Sequence, residues 1–237
     1  KERIQPSGYS KTWYKGKKIG SISDMTAFSF YVTKNVATGE GGMLTTNNKK
    51  WAETVRIRRL HGISADAWKR YSSEGYKPYE AVYPGYKYNM MDIQASLGIH
   101  QLKRAQANLK IRNKYWKIFT EAFKQIGGVL PPAEDEKNIV HARHLYALNL
   151  ELEKLKITRN QFIDALKTEN IGAGVHFTAL HLHKYYRETF GYKKGDYPKA
   201  EWIGERTISL PFYPHMSQKD VLDVIEAVKR IAVYYKK

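Results

Sequence analysis

The chain has 237 residues, 42% of them hydrophobic, which is enough for one large domain or two small ones with a real apolar core and excludes a disordered chain. No apolar run nears the ~20 residues of a membrane-spanning helix, Lys1 to Lys18 holds no signal-peptide core, and the lack of cysteine removes disulfides and thiolate metal sites, which suits the cytoplasm. Forty Lys and Arg against 23 Asp and Glu leave a net charge of +17; the basic residues are spread along the chain, so small phosphorylated ligands are favoured over nucleic acid as partners.

In chain order, residues 1–13 show no periodicity and are expected to form an irregular lead-in. Tyr14-Lys15-Gly16-Lys17-Lys18 is expected to be a hairpin turn with Gly16 at its tip. Thr26 to Val32 alternates in the manner of a strand, and Met43 to Thr46 forms a second one. Between them stand Lys34 and the glycine turn Thr38-Gly39-Glu40-Gly41-Gly42. Asn47-Asn48 can cap a helix with Trp51, Val55, Ile57 and Leu60 on its apolar face and Gly62 just past its end. Ile63 to Tyr88 is a long tyrosine-rich connection, of a length that is usually functional or docked.

Asp92 is expected to cap a long helix with Ile93, Leu97, Ile99, Leu102, Ile111, Tyr115, Ile118, Phe119 and Phe123 as apolar positions, ending at Gly127-Gly128. Pro131-Pro132 and Glu134-Asp135-Glu136 mark a boundary. Beyond it the expected elements are a strand His144–Leu150, a helix Thr158–Thr168 with a Thr158/Gln161 capping box, strands at Gly174–Phe177 and Arg206–Leu210, and a last helix Ser217–Tyr235. That helix is capped by Ser217 with Asp220, and its stripe is Val221, Leu222, Ile225, Val228 and Ile231. The fold class is therefore α/β, followed by a long helix and a smaller α+β domain. The expected division is a lead-in over 1–13, a large domain over 14–127 and a small domain over 128–237.

The chemistry centres on Lys34. A lysine in a sharp turn after an apolar strand, with glycines that let a ligand approach, is placed to be desolvated and nucleophilic toward carbonyls. Ser29, five residues earlier, offers a hydroxyl to a phosphate. Taken singly, these residues have plainer readings: a surface lysine in a loop, and a strand hydroxyl satisfied by backbone. His144, His181 and His183 suggest metal ligands by type, but no carboxylate accompanies them at suitable spacing.

Three motifs in order change this reading. Phe28-Ser29-Phe30 with Thr33-Lys34-Asn35 and Thr38-Gly39-Glu40-Gly41-Gly42 resembles the Schiff-base segment of the DegT/StrS sugar-nucleotide aminotransferases, pyridoxal-phosphate enzymes of fold type I. Gly85-Tyr86-Lys87-Tyr88-Asn89-Met90-Met91-Asp92-Ile93-Gln94-Ala95 is similar to that family's second signature. Gly172-Ala173-Gly174-Val175-His176-Phe177, then His181 to Arg187, then Ser209-Leu210-Pro211, is similar to the third. The likeness covers residues 14–235.

The resemblance implies the C-terminal part of a fold type I large domain, a linking helix and a small C-terminal domain. It implies pyridoxal 5'-phosphate held by Lys34 as a Schiff base, with Lys34 then serving as base and acid. Ser29 would bind the cofactor phosphate, and Lys87 or Asn89 that of a neighbouring subunit across a homodimer with shared active sites. Tyr86, on the same reaching loop, would bind the substrate, and His176 would lie on the substrate side. The implied reaction moves an amino group, with glutamate the expected donor, to the keto carbon of a nucleotide-linked sugar in cell-surface polysaccharide or modified-sugar biosynthesis.

One departure stands out. The relatives' aspartate for the ring nitrogen lies upstream of Tyr14, where residues 1–13 hold no aspartate. The chain is thus expected to lack the family's N-terminal part and to be impaired alone; the rival reading is a truncated, inactive relative acting as a binding or regulatory partner.

Overall fold

Local sequence signals account for most of the elements. The structure, a computed structural model, describes residues 12–63 and 80–237. The chain divides into two compact units, one of residues 1–106 with 136–142 and one of 107–135 with 143–237. The expected boundary after Gly127 therefore differs from the observed division, which falls inside the long helix. The lead-in assigned to residues 1–13 lies outside the described residues except for its last two, and so does most of the Ile63–Tyr88 connection.

In the first unit β1 (Trp13–Tyr14) and β2 (Lys17–Lys18) make the expected hairpin, turned by Lys15 and Gly16 at φ 48° and 77°. β1 also pairs with β6 (Ile139–Val140), a strand the sequence pattern did not reveal because it has only two residues. β3 (Thr26–Ser29) and β4 (Gly42–Thr45) form an antiparallel two-stranded sheet with Ser29 opposite Gly42. β3 stops three residues short of the expected end, because Phe30 opens the Lys34 turn. α1 (Lys49–Arg58) begins as anticipated: the Asn48 side chain accepts the Trp51 amide. Gly62 follows it in the left-handed region at φ 72°, where its amide reaches Ile57 O.

α2 (Asp92–Phe123) runs through both units. Asp92 opens this helix rather than capping it; the Gln94 side chain accepts the amide of Met91 just before it. Its apolar stripe splits in two. Ile93, Leu97 and Ile99 are exposed, whereas Tyr115, Phe119 and Phe123 enter the core of the second unit.

That core rests on a three-stranded sheet ordered β5–β7–β8, made of Val129–Leu130, Tyr146–Leu150 and Thr207–Leu210. All pairs are antiparallel. β7 alternates buried and half-buried residues, and Phe119, Phe123, Tyr146, Leu148, Leu150, Phe162, Leu166, Ile208, Val221 and Val228 close into one cluster. Burial pushes the Tyr146 phenol up to about 12, against the opposing effect of its hydrogen bond with Thr120. Thr158 and Gln161 form the expected capping box on α3 (Arg159–Thr168).

Two helices were not anticipated, α4 (Lys184–Phe190) and α5 (Pro198–Arg206). Both are short and carry exposed aromatic residues, which hides an apolar period. The strand expected at Gly174–Phe177 is reduced to one bridge, Gly174 to Ser209, after which the chain leaves the sheet edge. α6 (Gln218–Tyr234) has the expected capping box of Ser217 and Asp220, but Leu222 points outward and Val224, Ala227 and Ala232 complete the buried face. No helix among the described residues is long and apolar enough to cross a membrane.

Candidate active site

The loop that carries Lys34 is built by its anchors. The β3–β4 pairing continues past the strand ends: the Phe30 amide reaches Gly41 O at 2.8 Å and the Thr38 amide reaches Phe30 O at 2.9 Å. Phe30 and Thr38 are buried, 6% and 3% exposed, so the neck of the loop is packed. Within it the Lys34 amide closes a turn on Tyr31 O at 2.9 Å, and Asn35 Nδ2 donates to Ala142 O at 2.6 Å. Thr38 Oγ1 donates to Glu40 O at 2.7 Å, and Gln94 Nε2 donates to the same oxygen at 2.9 Å. Gly41, in the left-handed region, passes against Thr38 and Met90, where a Cβ would collide. The loop is thus tied to β6's neighbour Ala142 and to the start of α2. Lys34 stands exposed on it, not desolvated as its place after an apolar strand suggested.

Ser29, at the end of β3, accepts the Tyr31 amide on its hydroxyl oxygen at 3.3 Å, which leaves its O–H as a donor. The anchored neck therefore carries an amine and a hydroxyl from one short stretch of chain.

The Tyr86–Asn89 segment is extended and held against the end of α1. The Tyr86 amide donates to Arg58 O at 2.7 Å, the His61 amide to Tyr86 O at 2.9 Å and the Tyr88 amide to Arg59 O at 2.8 Å. Gly62 and Gly85 make this approach possible, because a Cβ on either would run into the other backbone. Alternation along an extended chain puts Tyr86 and Tyr88 on one side and Lys87 and Asn89 on the other. The two tyrosines stack with ring centroids 4.9 Å apart, both exposed. Lys87 Nζ donates to Asn89 Oδ1 at 2.6 Å. That bond turns the Asn89 amide so that its Nδ2 hydrogens remain available beside the ammonium, which is a donor pair suited to an anion.

His176 belongs to the second unit. It is exposed, and its Nδ1 lies 2.8 Å from Ser209 Oγ. The structure thus brings Lys87 and Asn89 together and sets Ser29 at the neck of the Lys34 loop, while His176 sits in another unit with a serine partner that motif reading did not assign to it.

A second buried pair also escaped the sequence. His181 Nε2 donates to Glu201 Oε1 at 2.9 Å, and both residues are buried. The same oxygen accepts the amides of Gly195 at 2.8 Å and Tyr197 at 3.4 Å. Burial pushes the Glu201 carboxyl up, but these hydrogen bonds, His181 foremost, outweigh it and hold the group below the usual glutamate value. The carboxylate that the histidines lacked by spacing comes from twenty positions downstream on α5, which no short motif reveals. Arg112 is buried against backbone carbonyls: one of its guanidinium nitrogens donates to those of Arg143, His144 and Phe212, and burial lowers its pKa. A cavity of about 490 Å³ in the second unit is lined by Glu169, Asp220, Glu226 and Arg230 among others, and none of the candidate residues lines it. Among the described residues no three His, Asp or Glu side chains converge to hold a metal.

Comparison with known proteins extends these observations. The chain matches the model of the DegT/DnrJ/EryC1/StrS aminotransferase family over residues 9–229. It is 59% identical over 218 residues to the uncharacterized protein MJ1066 of Methanocaldococcus jannaschii, covering 92% of this chain and 56% of that protein. It is 52% identical over 221 residues to the spore coat polysaccharide biosynthesis protein SpsC of Bacillus subtilis, covering 93% and 57%. Among solved structures it resembles the PLP-form of Spr1654 from Streptococcus pneumoniae, assigned as a sugar aminotransferase, with a TM-score of 0.83 and 32% identity over 96% of this chain and 57% of that one. The chain spans little more than half the length of each of these relatives.

Proposed function

The chain belongs to the DegT/DnrJ/EryC1/StrS aminotransferase family, and from that premise we propose that it moves an amino group from an amino acid, with glutamate as donor, to the keto carbon of a nucleotide-linked sugar. The observation that carries this reading is the anchored loop: an exposed primary amine, Lys34, on a turn whose neck is packed and hydrogen-bonded, with the Ser29 hydroxyl at its base.

The family's cofactor is pyridoxal 5'-phosphate, and the donor set fits it: an amine able to condense with an aldehyde, a hydroxyl, and the ammonium–amide pair of Lys87 and Asn89 for a phosphate. When bound, that group supplies the electron sink that makes the α-hydrogen of an amino acid removable. Lys34 Nζ would hold the cofactor and, once released by the incoming donor, carry the proton between the two carbon centres. Ser29 O–H would donate to a phosphate oxygen. Tyr86, Lys87 and Asn89 are exposed or half-exposed on one extended segment, which supports their reaching the site of a second copy of the chain in a homodimer. His176 would contact the sugar or its diphosphate. In this reading the cofactor-binding residues Ser29, Lys34, Lys87 and Asn89 belong to the first compact unit and His176 to the second, and the basic surface suits a diphosphate-bearing substrate. That SpsC is named for polysaccharide biosynthesis supports a sugar acceptor.

The test is borohydride reduction after incubation with pyridoxal 5'-phosphate, followed by peptide mass analysis. The expected result is one cofactor adduct on Lys34, none in Lys34→Ala, and loss of glutamate-dependent amination in that variant by at least about three orders of magnitude, the scale of losing a proton-transfer group together with covalent attachment. Reduction that labels other lysines and spares Lys34 would overturn the assignment.

A further inference from the structure

Ser209 lies on β8, whose four residues are all buried. One edge of this strand pairs with β7; the other takes Gly174 through two backbone hydrogen bonds, Gly174 N–H to Ser209 O at 3.0 Å and Ser209 N–H to Gly174 O at 2.8 Å. Two residues on, the His176 ring comes back to the same serine, with Nδ1 2.8 Å from Oγ. Ser209 is 5% exposed and His176 is exposed, so the hydrogen bond joins a buried hydroxyl to a surface imidazole. Phe177 holds the ring from the side, edge-on, with centroids 4.7 Å apart.

The bond has a preferred direction. A buried hydroxyl hydrogen without an acceptor is costly, and among the described residues Nδ1 is the acceptor on offer. If Nδ1 carried the proton and donated to Oγ, the serine hydrogen would be left without a partner. Oγ–H donating to Nδ1 satisfies the buried group, and it places the imidazole proton on Nε2, the nitrogen turned away from Ser209.

We infer that Ser209 is a positioning residue that fixes His176 as an Nε2–H donor toward the diphosphate oxygens of the nucleotide-linked sugar. The inference rests on the reading that puts His176 on the substrate side. The strand supplies what a loop histidine lacks, a single tautomer and a fixed direction.

The experiment uses the full chain labelled with nitrogen-15 in histidine, with His176 assigned by its loss in His176→Gln. Two-bond proton–nitrogen correlations at pH 8 read the tautomer, and calorimetry with UDP as the probe reads binding. The wild type is expected to show Nε2–H with an unprotonated Nδ1. Ser209→Ala is expected to give a mixture of tautomers and UDP affinity about tenfold weaker, whereas Ser209→Thr, which keeps the hydroxyl, restores both. A wild-type Nδ1–H tautomer, or a spectrum that Ser209→Ala leaves unchanged, overturns the positioning role while leaving His176 as a ligand contact. A tautomer that shifts in Ser209→Ala with UDP binding unchanged there and in His176→Gln overturns the diphosphate contact and the inference with it.

Discussion

The two compact units hold the same kind of sequence in different physical states. The second unit gathers the buried cluster of Phe119, Phe123, Tyr146, Leu148, Leu150, Phe162 and Val228 around one sheet. Among the described residues, the buried apolar side chains of the first unit are Phe30 and Ala105, while Met43, Leu44, Tyr86, Tyr88, Met91, Ile93, Leu97 and Ile99 stand exposed. Its β3–β4 sheet has two strands, too few to be stable by themselves. The first unit therefore has shape from hydrogen bonds, glycine contacts and turns, and the second from apolar burial. The residues assigned to the cofactor lie in the unit with shape but little core, and His176 lies in the unit with a core. A site chain-anchored in this way has its directions set locally, while its stability must come from what covers its apolar surface.

The largest effect that could break this contrast is a pair of truncations. Phe119→Ala should cost about 3–5 kcal/mol, because it empties a fully buried position surrounded by Phe123, Tyr146 and Phe212. Leu44→Ala should stay within about 0.5 kcal/mol, because its side chain already meets water. Urea denaturation of both variants measures this, and equal losses would mean that the first unit has a core of comparable weight.

The same contrast explains what could be read from the sequence. Elements with local codes were legible: the Lys15-Gly16 turn, the Asn48 cap, the capping boxes at Thr158 and Ser217, and Lys34 between strand and glycines. The Lys34 turn was readable because glycine, lysine and strand are close in sequence. The pairs that decide orientation were not. Ser209 meets His176 from 33 residues away and Glu201 meets His181 from 20, and neither separation carries a periodic signal. Apolar periodicity along α2 also could not tell which half is buried, since Ile93 and Phe119 contribute alike to the pattern but not to the core.

A second test uses acid. Among the described residues the buried arginine, histidine and glutamate side chains, Arg112, Arg143, His181 and Glu201, all lie in the second unit. Glu201 is held below the usual glutamate value, so its contribution to stability is present above the unfolded-state pKa of about 4.3 and is lost as pH falls through the lower folded-state value. Thermal melting of the second unit should therefore drop steeply below about pH 4, and Glu201→Gln should flatten that part of the curve. An unchanged slope in the variant would show that other carboxylates carry the acid sensitivity.

The smallest effect separates the units most cleanly, because it makes the same chemical change in both. Ser217 caps α6 by accepting the Asp220 amide, and Asn48 caps α1 by accepting the Trp51 amide. Replacing either by Ala removes one hydrogen bond from a helix start, worth about 1 kcal/mol. α6 buries Val221, Val224, Ile225, Val228 and Ile231 in the core, so fraying its first turn exposes Val221 and the loss should appear in global unfolding. α1 buries no residue, so its first turn can fray while nothing else moves. Ser217→Ala should thus lower the global unfolding free energy by about 1 kcal/mol, whereas Asn48→Ala should raise hydrogen exchange only at the amides of Trp51 and its neighbours. If Asn48→Ala lowered global stability as much as Ser217→Ala, α1 would have to be coupled to a buried core, and the contrast between a hydrogen-bonded unit and an apolar one would fail.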